Sequence, residues 1–257
     1  TIIDHADVRR MLMTMKSYSD AMRYMMYDSQ MMLDLSYFAE DELKDFGEER
    51  CGLLTPIGKS WISDLSVELT STAIQVYGGM GYVEETGIAQ YFRDARIAPI
   101  YAGTNGIQAL DLLFRKIPLD GGNAVSKLFG EMQSTVSEIE KIDNFDHLSN
   151  TLKFHINELK NVTESITGLL IDGELADASG SATPFLKMFG QVLGGHYMGK
   201  ALVKAHEKFT ESNDEFYKDK ITLSKFYLEQ LLPLASGYID AIKSGNEDLF
   251  KIKSNNF

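Results

Sequence analysis

The 257-residue sequence predicts an all-α protein, an up-and-down four-helix-bundle-like unit followed by a second helical bundle. Three observations predict it. Apolar residues recur at helical spacing over long stretches, and no stretch sustains the alternation of a strand. Turn residues cluster between two such stretches, at Pro118-Leu-Asp-Gly-Gly122. That cluster places a boundary separating residues 1–118 from residues 119–257.

The first helix is expected over Asp7–Ala39, where Val8, Leu12, Met15, Met22, Met26 and Leu33 keep one face apolar. Eight of the chain's 12 methionines fall between Met11 and Met32, which predicts irregular core filling over a pliable ligand wall. The acidic run Glu40–Glu49, interrupted by Gly47, predicts a solvated loop; its carboxylates lack the spacing of a calcium loop. Thr55-Pro56 predicts a helix start, a capping residue followed by proline, for a helix reaching Tyr77 with Trp61 in the core. After a glycine-rich turn, a short helix over Thr86–Ile97 is expected to stop at Pro99. The charged cluster Arg93, Asp94 and Arg96 is expected to pin the loop at 101–104 by ion pairing. A helix over Asn105–Ile117 follows, with Thr104 as its N-cap.

Beyond the boundary four helices are expected, over Ala124–Ile142, Asp146–Ile171, Pro184–Phe209 and Asp219–Ser244. Thr183-Pro184 repeats the helix-start signature, and Pro233 predicts a kink after Gln230. Gly194-Gly195 inside a helix weakens it, which predicts a close helix–helix approach there.

Composition narrows the partners. At 44% apolar and 24% charged residues the chain has the make-up of an ordinary globular protein. A net charge of −12 argues against nucleic acid or an anionic membrane surface. The one cysteine, Cys51, can form neither an internal disulfide nor a cysteine zinc site, so a reducing, cytoplasmic location is expected. There is no run of about 18 or more apolar residues, so no membrane span is expected. The chain opens Thr1-Ile-Ile-Asp without Met or a signal-peptide pattern and is expected to begin partway through a longer protein. His147, His155, His196 and His206 lack convincing acidic partners and are read as packing or surface residues, with no metal.

The most informative stretch is Gln75-Val-Tyr-Gly-Gly-Met-Gly-Tyr82, then Tyr91-Phe-Arg-Asp-Ala-Arg-Ile-Ala-Pro-Ile-Tyr-Ala-Gly-Thr-Asn-Gly-Ile-Gln108. Its glycines admit positive φ or close approach of a ligand, and a helix N-terminus beside a glycine-rich turn can receive an anion or a polarised carbonyl. A Walker-type phosphate loop is excluded, because no Gly-Lys-Ser/Thr follows Gly81.

These residues resemble the C-terminal domain of the acyl-CoA dehydrogenase family, whose pattern is Q-x-x-G-G-x-G-(Y/F), R-D-A-(R/K)-I, then I-Y-E-G-T. The His5–Arg10 run is similar to the family's as well. Residues Ala182–Gly190 and Phe226–Pro233 resemble the extra C-terminal helical domain of the long subgroup, which includes 3-methylthiopropionyl-CoA dehydrogenases. The resemblance implies an FAD enzyme converting an acyl-CoA to a trans-2-enoyl-CoA and passing electrons to an electron-transfer flavoprotein. It implies that Tyr101, Ala102 and Gly103 line the acyl and thioester region, and that Thr104, Asn105 and Gly106 contact the flavin. It implies that Gln75, Val76, Tyr77, Gly78 and Gly79 meet the FAD of a neighbouring subunit, hence a homo-oligomer, dimer or tetramer. The family's N-terminal helical and middle β domains would lie upstream of Thr1.

One position departs from the pattern. Where the family has its catalytic glutamate, this chain has Ala102. The α-proton of a thioester is weakly acidic, so the reaction needs a carbonyl-polarising donor, a positioned base and a hydride acceptor. Ala102 keeps the backbone N–H and removes the base. Three readings stay open: a deliberate Glu→Ala substitution, a base on an upstream helix, or a natural non-catalytic relative. An acyl-CoA oxidase and a non-catalytic flavin or acyl-CoA binding module are the alternative functions.

Overall fold

The computed structural model describes residues 1–256. Helix α1 (Ala6–Phe38) closely matches its expected span and turns back through Ala39 and Glu40 into α2 (Asp41–Ile57). The segment 40–49 is therefore helix, not solvated loop. Gly47 does not break α2; it lets α2 press on α1, since a Cβ there would lie 2.7 Å from the Met32 carbonyl oxygen and 2.8 Å from the Ser36 nitrogen. Arg50, Leu53, Leu54 and Ile57 continue the buried stripe that holds the helix.

Thr55-Pro56 is likewise interior. α2 passes through a π-helical turn (Gly58–Ile62) straight into α3 (Ser63–Tyr77). Thr55 Oγ1 donates to the Cys51 carbonyl at 2.7 Å instead of capping a new helix, and the buried Pro56 ring holds the chain in place. A missing N–H removes one helical bond, and burial of Leu53, Leu54 and Ile57 outweighs that loss.

A four-residue helix α4 (Gly79–Tyr82) and a 3₁₀ turn (Glu84–Thr86) lead to α5 (Ile88–Tyr101), which packs along α3. Pro99 does not stop α5; it is buried within it, and the helix runs two residues further. Arg93 does not pin the loop at 101–104. It grips Glu84 with two bonds of 2.9 and 2.8 Å, tying α5 to the 3₁₀ turn before it. Helix α6 (Asn105–Asp111) continues through a second π-helical turn (Leu112–Lys116).

The second half comprises α7 (Asn123–Ile139), α8 (Asp146–Ile171), α9 (Leu175–Ser212) and α10 (Glu215–Phe226), then a third π-helical turn (Tyr227–Leu231), a 3₁₀ segment (Leu232–Tyr238) and α11 (Ile239–Lys243). No strand occurs among the described residues. Thr183-Pro184 is not a start: α9 begins at Leu175. Residues 175–183 are held helical by packing on α11, where Ser181 Oγ donates to the Ile242 carbonyl at 2.6 Å. The final helix expected over Asp219–Ser244 is broken into α10, the π turn, the 3₁₀ segment and α11, with Pro233 at the start of the 3₁₀ segment.

Helix α9 is the spine of the molecule and packs against α1, α6, α7, α8, α10 and α11. Its middle is buried nearly all round, and small residues admit large neighbours. A Cβ on Gly190 would overlap the Trp61 ring, and one on Gly194 would meet the Tyr227 hydroxyl and, at 2.8 Å, Trp61. The close approach expected at Gly194-Gly195 is thus present, and a Cβ on Gly195 would lie 3.1 Å from Leu232. Tyr18 stacks edge-on against Trp61 and Tyr227, with centroids 6.1 and 5.6 Å apart. Its hydroxyl donates to Gln191 Oε1, and Tyr227 donates to the Gln191 carbonyl at 2.9 Å. The core is therefore continuous from α1 to α11 across the Pro118–Gly122 turn.

The methionines of α1 divide by face. Met25 and Met32 are fully core, Met13, Met15 and Met22 pack against it, and Met26 and Met31 are exposed.

Candidate functional site

The site grows from the end of α5. Tyr101 closes the helix, Ala102 leaves it at φ −103° and ψ 43°, and Gly103 reverses the chain at φ 78°. Gly103 is the position where positive φ matters, since a side chain there would be strained and would lie 3.0 Å from Gln108 Nε2. Thr104 then occupies the N-cap of α6, but its hydroxyl makes no capping bond. The orientation of the turn comes from two amides. Gln108 Nε2 donates to the Ala102 carbonyl at 3.3 Å. Asn105 Nδ2 donates to the Ser60 carbonyl at 3.2 Å, Ser63 Oγ at 3.0 Å and Asp64 Oδ1 at 2.7 Å, hanging the start of α6 on the π turn after α2.

This anchoring leaves the main chain free. Among the described residues, the N–H groups of residues 102–106 donate to no backbone or side-chain acceptor. Two of them are the ordinary orphan donors at the start of a helix, and the glycine reversal adds those before it. They border a cleft of about 390 Å³ lined by Tyr101, Ala102, Gly103 and Asn105 on one side and by Met26, Ser29, Leu54, Gly58, Ile62 and Ser66 on the other. A row of unpaired donors beside an apolar-walled cleft suits a carbonyl or an anion carried on an apolar body. No carboxylate lines the cleft.

The other expected site residues lie elsewhere. Gln75, Val76 and Tyr77 form the last turn of α3, and Gly78 follows at φ 63° and ψ −147°, a conformation open to glycine. A Cβ on Gly78 or Gly79 would meet nothing within 4 Å, so this turn is an open surface and not a tight cradle. Gly81 is the tight glycine, buried against the Ile74 carbonyl. Fourteen helical steps separate Ser63 from Tyr77, so about 20 Å lies between the two regions along α3. The structure thus brings Tyr101, Ala102, Gly103 and Asn105 into one cleft, with Thr104 and Gly106 beside it, and leaves 75–79 at the far end of the same helix pair. Between them α5 exposes Tyr91, Ile97, Ile100 and Tyr101, and the turn before it exposes Tyr77, Met80 and Tyr82.

Sequence reasoning missed Ser60, Ser63 and Asp64, which hold Asn105. Their signal was weak: Ser60 and Ser63 are buried hydroxyls within an otherwise apolar stretch, and only the π turn brings the Ser60 carbonyl to the amide.

Among the described residues no helix is long and apolar enough to cross a membrane, and no group of His, Cys, Asp or Glu is placed to hold a metal ion. His196 is buried and shares a 3.1 Å hydrogen bond with Thr135, and burial lowers its pKa to about 3. His155 is buried against the Thr151 carbonyl and Ser236, and burial also lowers its pKa.

Two family models match the sequence that builds this all-helical scaffold. Residues 1–116 match "Acyl-CoA dehydrogenase, C-terminal domain", and residues 128–253 match "Acetyl-CoA dehydrogenase C-terminal like". The chain belongs to the acyl-CoA dehydrogenase family, of which it carries the C-terminal helical portion. It is 31% identical over 239 residues to a 3-methylmercaptopropionyl-CoA dehydrogenase of Ruegeria pomeroyi, covering 90% of this chain and 40% of the relative. It is 29% identical over 251 residues to a butyryl-CoA dehydrogenase of Syntrophomonas wolfei, covering 94% of this chain and 40% of the relative. The chain therefore spans about two-fifths of the length of these curated relatives. The fold matches an acyl-CoA dehydrogenase from Bacillus anthracis solved with FAD, with a TM-score of 0.68 at 17% identity over 96% of this chain and 44% of that one. It also matches ACDH-11 of Caenorhabditis elegans solved with C11-CoA, with a TM-score of 0.66 at 19% identity over 95% of this chain and 40% of that one.

Proposed function

We propose that this chain is the thioester-binding helical part of an FAD-dependent acyl-CoA dehydrogenase, which forms a trans-2-enoyl-CoA from an acyl-CoA. The observation that carries the reading is the row of unpaired N–H groups at 102–106, set beside an apolar cleft. In this reading Ala102 N–H donates to the thioester carbonyl, where negative charge gathers as the α-proton leaves. Tyr101 and Gly103 flank the acyl group. The exposed face of Thr104, Asn105 and Gly106 fits a flavin edge, because its backbone donors are free and Gly106 has open space around it. FAD, when bound, supplies the hydride acceptor that no side chain can provide. Gln75, Val76, Tyr77, Gly78 and Gly79 are assigned to a neighbouring subunit's FAD in a homo-oligomer. Their exposure and the surrounding tyrosines support a covered surface. The names of two relatives support 3-methylthiopropionyl-CoA or butyryl-CoA as substrates to test, and a third, named a broad-specificity linear acyl-CoA dehydrogenase, keeps longer acyl-CoAs equal to them. We assign residues 1–118 and 119–257 to the two helical domains, electron-transfer flavoprotein as electron acceptor, and a cytoplasmic location.

Ala102 stands where the resemblance places the base. A methyl group takes no proton, and loss of a positioned base lowers the rate by about 10²–10⁴-fold. We therefore read this form as able to hold substrate and impaired in turnover. The experiment is Ala102→Glu in the full-length protein, with anaerobic flavin bleaching by butyryl-CoA as the readout. A gain of about 10²-fold or more supports the reading. Equal bleaching rates in the two forms refute the assignment of position 102. The same variant tests a non-catalytic module, which Ala102 itself favours: tight acyl-CoA binding with no enoyl product in either form would establish that reading instead.

A further inference from the structure

A cavity of about 1060 Å³ lies away from this site. On α1, Met26 and Ser29 face the Gly103 cleft, whereas Tyr24, Tyr27, Asp28 and Met31 face the larger cavity. At about 100° per residue these two sets point to opposite sides of the helix. The far wall is built by the second half: α7 contributes Glu138, the turn after it Lys141 and Ile142, α9 Lys200 and Lys204, and α10 Phe216 and Lys220. The cavity exists only because the second helical unit packs on α1, and such inter-unit clefts are common ligand sites.

Its chemistry is specific. The walls are apolar and partly aromatic, with Tyr27, Met31 and Phe216 all exposed to it. Five lysines and three carboxylates line it, a local balance of +2 in a chain whose net charge is −12. Three of the lysines are engaged: Lys204 with Glu207 at 2.7 Å, Lys208 with Glu211 at 2.7 Å and Lys220 with the buried Asp20 at 2.6 Å. Asp28 is engaged too, accepting from Tyr197 Oη at 2.5 Å with Arg50 at 4.0 Å. Lys141 and Lys200 are exposed and, among the described residues, make no ion pair. No arginine lines the cavity, and the start of α10 is already capped by Asp214, whose carboxylate accepts from Phe216 N–H at 2.9 Å. The arginine forks and free helix starts that grip polyphosphates most specifically are missing here; two free ammonium groups over an apolar trough suit a single anionic head on an apolar tail, with ATP as the probe for a phosphate.

We propose that this cavity binds a fatty-acid anion, its tail between Tyr27, Met31 and Phe216 and its carboxylate at Lys141 and Lys200. The site is separate from the thioester cleft and needs neither flavin nor CoA.

The test titrates the full-length protein with palmitate below its aggregation concentration, read by calorimetry. The comparisons are Lys141→Glu/Lys200→Glu and Tyr101→Ala, with ATP and the neutral methyl ester of palmitate as further probes. The expected result is saturable palmitate binding, weakened about tenfold or more by the charge reversals, unchanged by Tyr101→Ala, and weak for the ester. Both lysines are exposed, and an unaltered melting curve confirms that the reversed form is folded. No saturable binding, binding indifferent to the two lysines, loss through Tyr101→Ala, or ATP binding in place of palmitate would each overturn the proposal.

Discussion

Replacing Gly194 by alanine tests the central packing claim. An alanine in a helix interior is ordinarily favoured over glycine by about 1 kcal/mol. Here the new methyl would meet the Tyr227 hydroxyl, Trp61 at 2.8 Å and Tyr227 Cζ at 3.0 Å. Both rings are nearly inaccessible, so neither swings aside freely. Overpacking of this kind costs about 1–3 kcal/mol. Tyr227 also donates to the Gln191 carbonyl, and displacing it strands a buried polar group for about 1–3 kcal/mol more. The balance is a loss of about 1–5 kcal/mol, with a centre near 3. At about 2–4 °C per kcal/mol for a chain of this size, the melting temperature should fall by about 10 °C. The internal comparison is Gly130→Ala on the exposed face of α7, where a Cβ meets nothing within 4 Å; it should raise stability by about 0.5–1 kcal/mol. Urea denaturation of both variants decides the matter. A neutral or stabilising Gly194→Ala would mean that the rings relax at no cost and that the spine is not tightly packed.

Two further predictions concern buried polar groups. Arg50 is 3% exposed and pairs with Glu131, with Asp28 at 4.0 Å, while its guanidinium lies over Phe46. Both carboxylates still reach water, so Arg50→Leu should lose about 2 kcal/mol, below the figure for breaking a fully buried pair, as measured by urea denaturation. His196 has its pKa lowered to about 3 by burial, so the unfolded state binds the extra proton between roughly pH 6.5 and pH 3. Its neutral form is therefore a stabilising feature fully present above about pH 6.5 and eroded as pH falls through that window. His196→Gln should flatten the slope of stability between pH 7 and pH 4. An unchanged slope would place the acid sensitivity on other groups, with His155 the next to examine.

The helical class was legible because long amphipathic runs such as 7–39 and 146–171 admit no other reading. Helix boundaries were less so. Gly47, Pro56, Pro99 and Pro184 were read locally as breaks, and each sits inside a helix because its neighbours are buried by partners far away in sequence. Ser181 meeting Ile242 is one such case: nothing within residues 175–190 announces it. The turn at 101–106 was legible through its glycine and its resemblance to a family. Its anchoring by Asn105 on Ser60 was not, since that contact depends on a register shift that hydrophobic spacing does not encode. The large lysine-rimmed cavity was invisible for the same reason: its walls come from α1, α7, α9 and α10, and no short stretch contains it.

The π turn at Gly58–Ile62 holds one residue more than an α-helix would use for the same rise, so deleting a single residue there would restore regular winding. Winding the same residues as a regular α-helix with none removed would instead rotate everything after them by about 100° relative to α2. Trp61 would then leave the face that meets α9, and the Ser60 carbonyl would no longer face Asn105. The turn at 102–106 therefore takes its aim from a gear tooth three helices upstream. Forcing regular α winding on 58–62 without removing a residue would misdirect the donors of Ala102 and Gly103 without altering any residue of the turn itself.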